Sequence, residues 1–236
     1  MFVNNLLFVS LAPVLIIALY VYSRDKYEKE PLAVLLRAML AGVAIVIPVV
    51  LIERFLSSAA PGTEGLAYAA YTAFAVAGFT EEAFKYIAFI LFFWNNRNFN
   101  EKFDGIVYSV YIALGFAAVE NILYVFTGGV GVGMVRAITA IPAHALFGIV
   151  MGYYFSKARF SDNHRFLFLF LAFFMPFVFH GLYDFLLMSQ SPAMLVIFVP
   201  FFIYFWVSGF RKMAISSDES SFRDADKEPN NDGYAG

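Results

Sequence analysis

LAYAAYTAFAVAGFTEEAFKYIAFILFFW, residues 66–94, is an apolar run whose only charged members are Glu81, Glu82 and Lys85. A helix needs about 20 apolar residues to cross a bilayer core of about 30 Å, so this stretch is long enough to span it. Backbone amides in lipid must find partners within their own segment, which makes the span a helix. Similar runs lie at 2–22, 32–56, 105–127, 133–156, 165–188 and 192–210. Turn chemistry separates them: Ser57 to Gly62 carries a Pro-Gly, Gly128 to Gly133 is glycine-rich, and Gln190-Ser191-Pro192 precedes the last run. The expected fold is all-α, a polytopic membrane bundle of about seven transmembrane helices.

Composition agrees. Of 236 residues, 61% are hydrophobic and 14% charged, against about 45–50% and about 25% in soluble domains. An apolar excess of this size must partly face lipid, so the bilayer itself is the chain's solvent. Thirty Phe and 14 Tyr suit a lipid-facing exterior with interfacial anchors. The net charge of −2 gives no reason to expect a nucleic-acid partner, and the absence of Cys excludes disulfides and thiolate metal ligands. Met1 to Tyr22 lacks a basic leader and a cleavage motif, so it is expected to stay as a transmembrane helix.

Basic residues orient the bundle. Arg24, Lys26 and Lys29 fall in the first loop, Arg97 and Lys102 in the third, and Lys157, Arg159 and Arg165 in the fifth. Arg211, Lys212, Arg223 and Lys227 follow the last span, whereas the second, fourth and sixth loops carry no Lys or Arg. The positive-inside rule then places the N-terminus outside and the C-terminus in the cytoplasm. Residues 1–212 read as one transmembrane domain and 213–236, rich in Ser, Asp, Glu and Asn, as a disordered cytoplasmic tail. Arg37, Arg54 and Arg136 sit near span ends, where they can snorkel, and are assigned no chemistry. Asp104 reads as an N-cap.

Ionisable residues inside the spans are the functional signal. They are Glu81, Glu82 and Lys85 on the third span, Glu120 beside Asn121 on the fourth, His144 on the fifth, and His180 and Asp184 on the sixth. A charge at a helix centre costs roughly 2.5–3.5 kcal/mol on insertion scales, so such residues face a bundle interior and mark function. The pairs Glu81/Lys85, Phe116/Glu120 and His180/Asp184 are four apart and share a helix face. At about 1.5 Å of rise per residue, Glu81, Glu120, His144 and His180 reach one layer near the midplane, with Asp184 a turn further out. A buried glutamate there can act as a general base, and His180 can donate to a developing oxyanion. Alternatively, His144, His180 and Glu120 are a zinc set with a position left open for water. Structural roles stay open too: an ion pair at Glu81, Glu82 and Lys85, a polar bridge at Glu120 and Asn121, or a carbonyl contact from His144.

Three strings, Glu81-Glu82-Ala83-Phe84-Lys85, Phe116-Ala117-Ala118-Val119-Glu120 and His180-Gly181-Leu182-Tyr183-Asp184, read EExxK, FxxxE and HxxxD in that order. The set resembles the PrsW-type membrane proteases, relatives of the CAAX prenyl endopeptidases and of bacteriocin-processing proteins. Asp25-Lys26-Tyr27-Glu28-Lys29-Glu30-Pro31 and Pro142-Ala143-His144 look like that family as well. The resemblance implies an intramembrane endopeptidase of a bacterial plasma membrane, making site-1-type cuts in a membrane-anchored protein such as an anti-sigma factor. It implies that Glu81, Glu82 and His180 matter most. The wider superfamily often ends the second motif in His where this chain has Glu120, which leaves glutamate-activated and metal-activated water as alternatives. A proton- or ion-coupled transporter using the Glu/His/Asp set as a relay is the competing reading, and a non-catalytic scaffold is a third.

Overall fold

The computed structural model describes residues 2–161 and 163–223. All regular structure among them is helical. Helix α1 covers Phe2–Arg24 and α2 covers Leu32–Ser57. A short α3 (Leu66–Ala70) runs without a break into a π-helical segment (Tyr71–Gly78) and then α4 (Phe79–Phe92). They are followed by α5 (Lys102–Ile138), α6 (Ala140–Phe160), α7 (Arg165–Met188) and α8 (Pro192–Asp218). Residues 224–236 of the expected tail lie outside the described residues, and α8 continues past the last apolar run to Asp218.

By length and composition, five helical stretches among the described residues are able to cross a membrane: Asn4–Arg24, Leu32–Ser57, the continuous Lys102–Phe160, Arg165–Met188 and Pro192–Asp218. The difference from the expected seven lies in two places. Residues 66–92 are divided by the π segment into shorter elements, and α5 and α6 are counted together. Large apolar side chains stand exposed along the outer helices, among them Leu36, Ile47, Leu51 and Phe55 on α2 and Val196, Ile203 and Val207 on α8. Such a surface is stable against hydrocarbon and not against water, so the chain is an integral membrane protein.

The core sits along α5 and α6. From Phe103 to Ala118 every α5 side chain is buried, and most of α6 from Ala140 to Gly152 is too. A helix buried on all faces shows no amphipathic stripe, which is why this part of the sequence carried no periodic signal. Gly105 packs against Gly152 and Ser109 against Gly148, so the two backbones approach closely, as small residues allow between membrane helices.

The Gly-rich run 128–133 was expected to be a loop between spans. Instead, a single residue turns the chain. Gly129 has φ 80° and ψ −176°, a conformation that only glycine adopts at little cost. Residues 130–138 are helical and run back along the segment they follow. Gly133 lies against Val125, and Arg136 reaches Glu120. In a straight helix those two would stand about 24 Å apart. A second break at Thr139 then starts α6.

Two further local differences have simple causes. The N-cap of α5 is Glu101, not Asp104: Asp104 sits at the third helical position, and its carboxylate accepts the Glu101 amide at 2.7 Å in a reciprocal capping box. The π segment widens the helix just before Glu81. Its last residue, Gly78, lies so close to Gly181 that an added Cβ would stand 3.1 Å from the Gly181 nitrogen. The start of α4 is thereby pressed against α7 beside His180.

Candidate active site

Four helices bring their polar side chains to one point. Glu81, Glu82 and Lys85 come from the first two turns of α4, and all three are buried. The Lys85 Nζ donates to Glu82 Oε1 at 2.8 Å, to Glu81 Oε2 at 3.1 Å and to His144 Nδ1 at 3.2 Å. It also lies 4.5 Å from the centroid of the Phe116 ring, whose face attracts a cation. Phe116 and Glu120 share a face of α5, as their spacing required.

The hydrogen bonds fix the role of each imidazole. An ammonium only donates, so His144 Nδ1 must accept from Lys85 and the ring carries its proton on Nε2. That Nε2–H points to Glu120 Oε2 at 3.0 Å. Glu120 Oε2 also accepts from the Arg136 guanidinium at 2.6 Å. Arg136 Nε donates to Asn121 Oδ1 at 2.8 Å, and Asn121 Nδ2 donates to the Ser10 carbonyl of α1 at 2.9 Å. Arg136 therefore belongs to the site; its place near a span end in the sequence gave no hint, because only the reversal at Gly129 turns it inward.

His180 on α7 is held from both sides by carboxylates. Its Nδ1 donates to Glu82 Oε1 at 2.9 Å, and its Nε2 lies 3.4 Å from Asp184 Oδ2 and 4.0 Å from Glu81 Oε1. The ring stacks on Phe147 at a centroid distance of 4.6 Å, which fixes its plane. The residues expected to share one layer thus stand in a single cluster of contacts.

A cavity of about 700 Å³ extends from this layer to the ends of α2 and α7 at Ser57 and Met188. Glu81, Glu120, His144, His180 and Asp184 line it, whereas Glu82 and Lys85 stand behind them. The adjacent glutamates therefore differ. Glu82 Oε1 is taken by Lys85 and His180, and its Oε2 is buried without a partner among the described residues. Glu81 keeps Oε1 toward the cavity. Glu53 of α2 also lines the cavity and was not singled out from the sequence. The signal was there: Val46, Val50, Glu53 and Ser57 follow one helical face, with an acid where apolar residues were expected.

Among the described residues, one group of possible ligands stands close enough to hold an ion: Glu81, Glu82 and His144 each offer an atom within 4.8 Å of the others. His180 contacts Glu82 from outside that group. The same three residues already surround the Lys85 ammonium, which bonds one atom of each. With Lys85 in place, a metal does not fit among them.

A set of Glu and His side chains, buried in a helical bundle with an apolar exterior and open to a cavity, supplies the groups that amide hydrolysis inside a membrane requires. Comparison with known proteins makes the class specific. The family model described as "PrsW family intramembrane metalloprotease" matches residues 30–207, a range that holds every site residue above except Ser10. The chain is 39% identical over 188 residues to "Protease PrsW" of Geobacillus kaustophilus, covering 79% of this chain and 81% of that protein. It is 36% identical over 208 residues to "Protease PrsW" of Clostridioides difficile (86% and 87% covered). A third relative, "Protease PrsW" of Bacillus subtilis, is 36% identical over 203 residues (86% and 91% covered). No solved structure matches the chain. The chain belongs to the PrsW family and is a membrane protease.

Proposed function

We propose that the chain is an intramembrane endopeptidase that cuts a membrane-anchored protein by glutamate-activated water. The observation that carries this reading is the split between the two glutamates. Glu81 faces the cavity with one oxygen held by Lys85 and the other free, while Glu82 stands behind the cavity wall with its Oε1 held by Lys85 and His180.

In this reading Glu81 takes a proton from a cavity water as the hydroxide adds to the scissile carbonyl carbon. The Nε2–H of His180 donates to the oxyanion that forms. Glu81 then returns the proton to the leaving amine as the C–N bond breaks. Asp184 and Glu82 orient His180, Lys85 fixes both glutamates, and Glu120 with Arg136 holds His144. The family description implies a metal, but the Lys85 ammonium occupies the position among Glu81, Glu82 and His144.

The substrate class follows from resemblance: a single-span protein such as an anti-sigma factor, cut in a site-1-type step. Seven spans are counted by taking residues 66–92 as one and dividing Lys102–Phe160 at Gly129. The arrangement of basic loops then puts the cavity mouth on the outer side of a bacterial plasma membrane. The transporter reading draws no support from the relatives, which are named as proteases.

The test compares wild type with Glu81→Gln, purified in detergent, on single-span peptides with and without a chelator. Cleavage by wild type that is lost in the variant and unchanged by chelation is expected. Cleavage retained by the variant, or abolished in wild type by chelation and restored by zinc, would overturn the mechanism.

A further inference from the structure

Four carboxylates line the cavity: Glu53, Glu81, Glu120 and Asp184. Three have partners. Glu81 is bonded by Lys85, Glu120 by Arg136 and His144, and Asp184 lies 3.4 Å from His180. Glu53 alone makes no hydrogen bond or ion pair among the described residues. Arg54 also lines the cavity, yet it stands on the next residue of the helix and closes no ion pair with Glu53.

Position makes this unusual. Glu53 lies one turn inside the end of an apolar helix, on the face shared with Val46, Val50 and Ser57, and that face looks into the cavity. The opposite face carries Ile47, Leu51 and Phe55, exposed to lipid. An acid in such a helix is costly and marks function when it is turned inward. The cavity wall around it includes the carboxylates of Glu81, Glu120 and Asp184. Those three are already in ionic contact with Lys85, Arg136 and His180, so a cation that enters the cavity finds Glu53 as the open acceptor. Water alone would satisfy a rim carboxylate, but not in preference to a substrate group that brings its own positive charge out of solution.

We infer that Glu53 is a substrate-positioning residue, the acceptor for a basic side chain of the substrate segment that enters the cavity between α2 and α7. The inference rests on the protease reading and names a specificity for the same site. Arginine suits the position better than lysine, because a guanidinium forms two parallel bonds with one carboxylate.

The experiment uses full-length protein in detergent micelles and a set of single-span peptides. The set moves one Arg along the segment flanking the cut, with Gln and Glu at the same place as controls. Wild-type cleavage of the parent peptide by itself tests the protease reading. The expected result is an Arg-over-Gln preference of about tenfold at one position, carried in KM. It should vanish in Glu53→Gln and turn toward the Glu peptide in Glu53→Lys. A preference of equal size in wild type and both variants would overturn the inference. So would an equal loss on every peptide, which is what a purely structural role produces.

Discussion

His180 and Glu82, 98 residues apart in sequence, meet with Nδ1 and Oε1 at 2.9 Å, and the same Glu82 oxygen accepts from Lys85. Glu82 thus joins the EExxK helix to the HxxxD helix, and in the proposed mechanism it orients His180 while Glu81 activates water. Glu82→Gln keeps the size and one acceptor, and should lower kcat by about 10²-fold while KM stays within twofold. Glu81→Gln removes the base itself and should cost more, about 10³-fold or beyond. Peptide kinetics on both variants check the order. Equal losses would mean that the two glutamates act alike.

Lys85 donates hydrogen bonds to both glutamates. Removing one member of a buried ionic group leaves the rest uncompensated, at a cost of about 3–5 kcal/mol. Lys85→Met should therefore melt well below wild type in detergent. Adding Glu82→Gln to Lys85→Met should restore part of the melting temperature and none of the cleavage. A double variant no more stable than Lys85→Met would show that the charge balance at this point is not what Lys85 supplies.

The reversal at Gly129 carries Arg136 to Glu120. A residue with a Cβ at that φ and ψ is strained by about 1–3 kcal/mol. Gly129→Ala should lower both stability and activity, and Arg136→Gln should lower activity with a smaller loss of stability. Gly131→Ala, two residues on and with open space around its Cα, serves as the control and should behave as wild type. Thermal melts with peptide cleavage on all three separate the turn from the contact.

Outside the spans, the connectors hold buried acids. Burial pushes Asp25 up to about 6, against the Glu30 amide and the Lys29 charge that favour its ionised form. Burial likewise pushes Glu30 up to about 7, helped by Asp25 and Glu28. Glu101 also rises to about 7 by burial, although the Ser220 hydroxyl donates to it. In each case the folded form holds a proton that the unfolded chain has already lost, so stability falls as pH rises from about 4.5 to about 7. The melting temperature in detergent should drop across that range, and Glu30→Gln with Glu101→Gln should flatten the drop. A profile that rises with pH over the same range would contradict this account.

Residue type and spacing alone decided a great deal. Apolar runs of bilayer length made the chain helical and membrane-embedded, because backbone groups in lipid have no other partners. The cost of burying charge selected Glu81, Glu82, Lys85, Glu120, His144, His180 and Asp184, and four-residue spacing put their pairs on common faces. Two things were out of reach. Arg136 sits near a span end, where a charge is cheap and carries no signal, and only the chain reversal turns it inward. The unequal roles of Glu81 and Glu82 were also hidden, since adjacent residues on a helix point about 100° apart. Which of them meets the cavity depends on how the π segment rotates α4 against α7. Local sequence sets which groups must be buried; the packing of one helix on another sets which of them is left facing water.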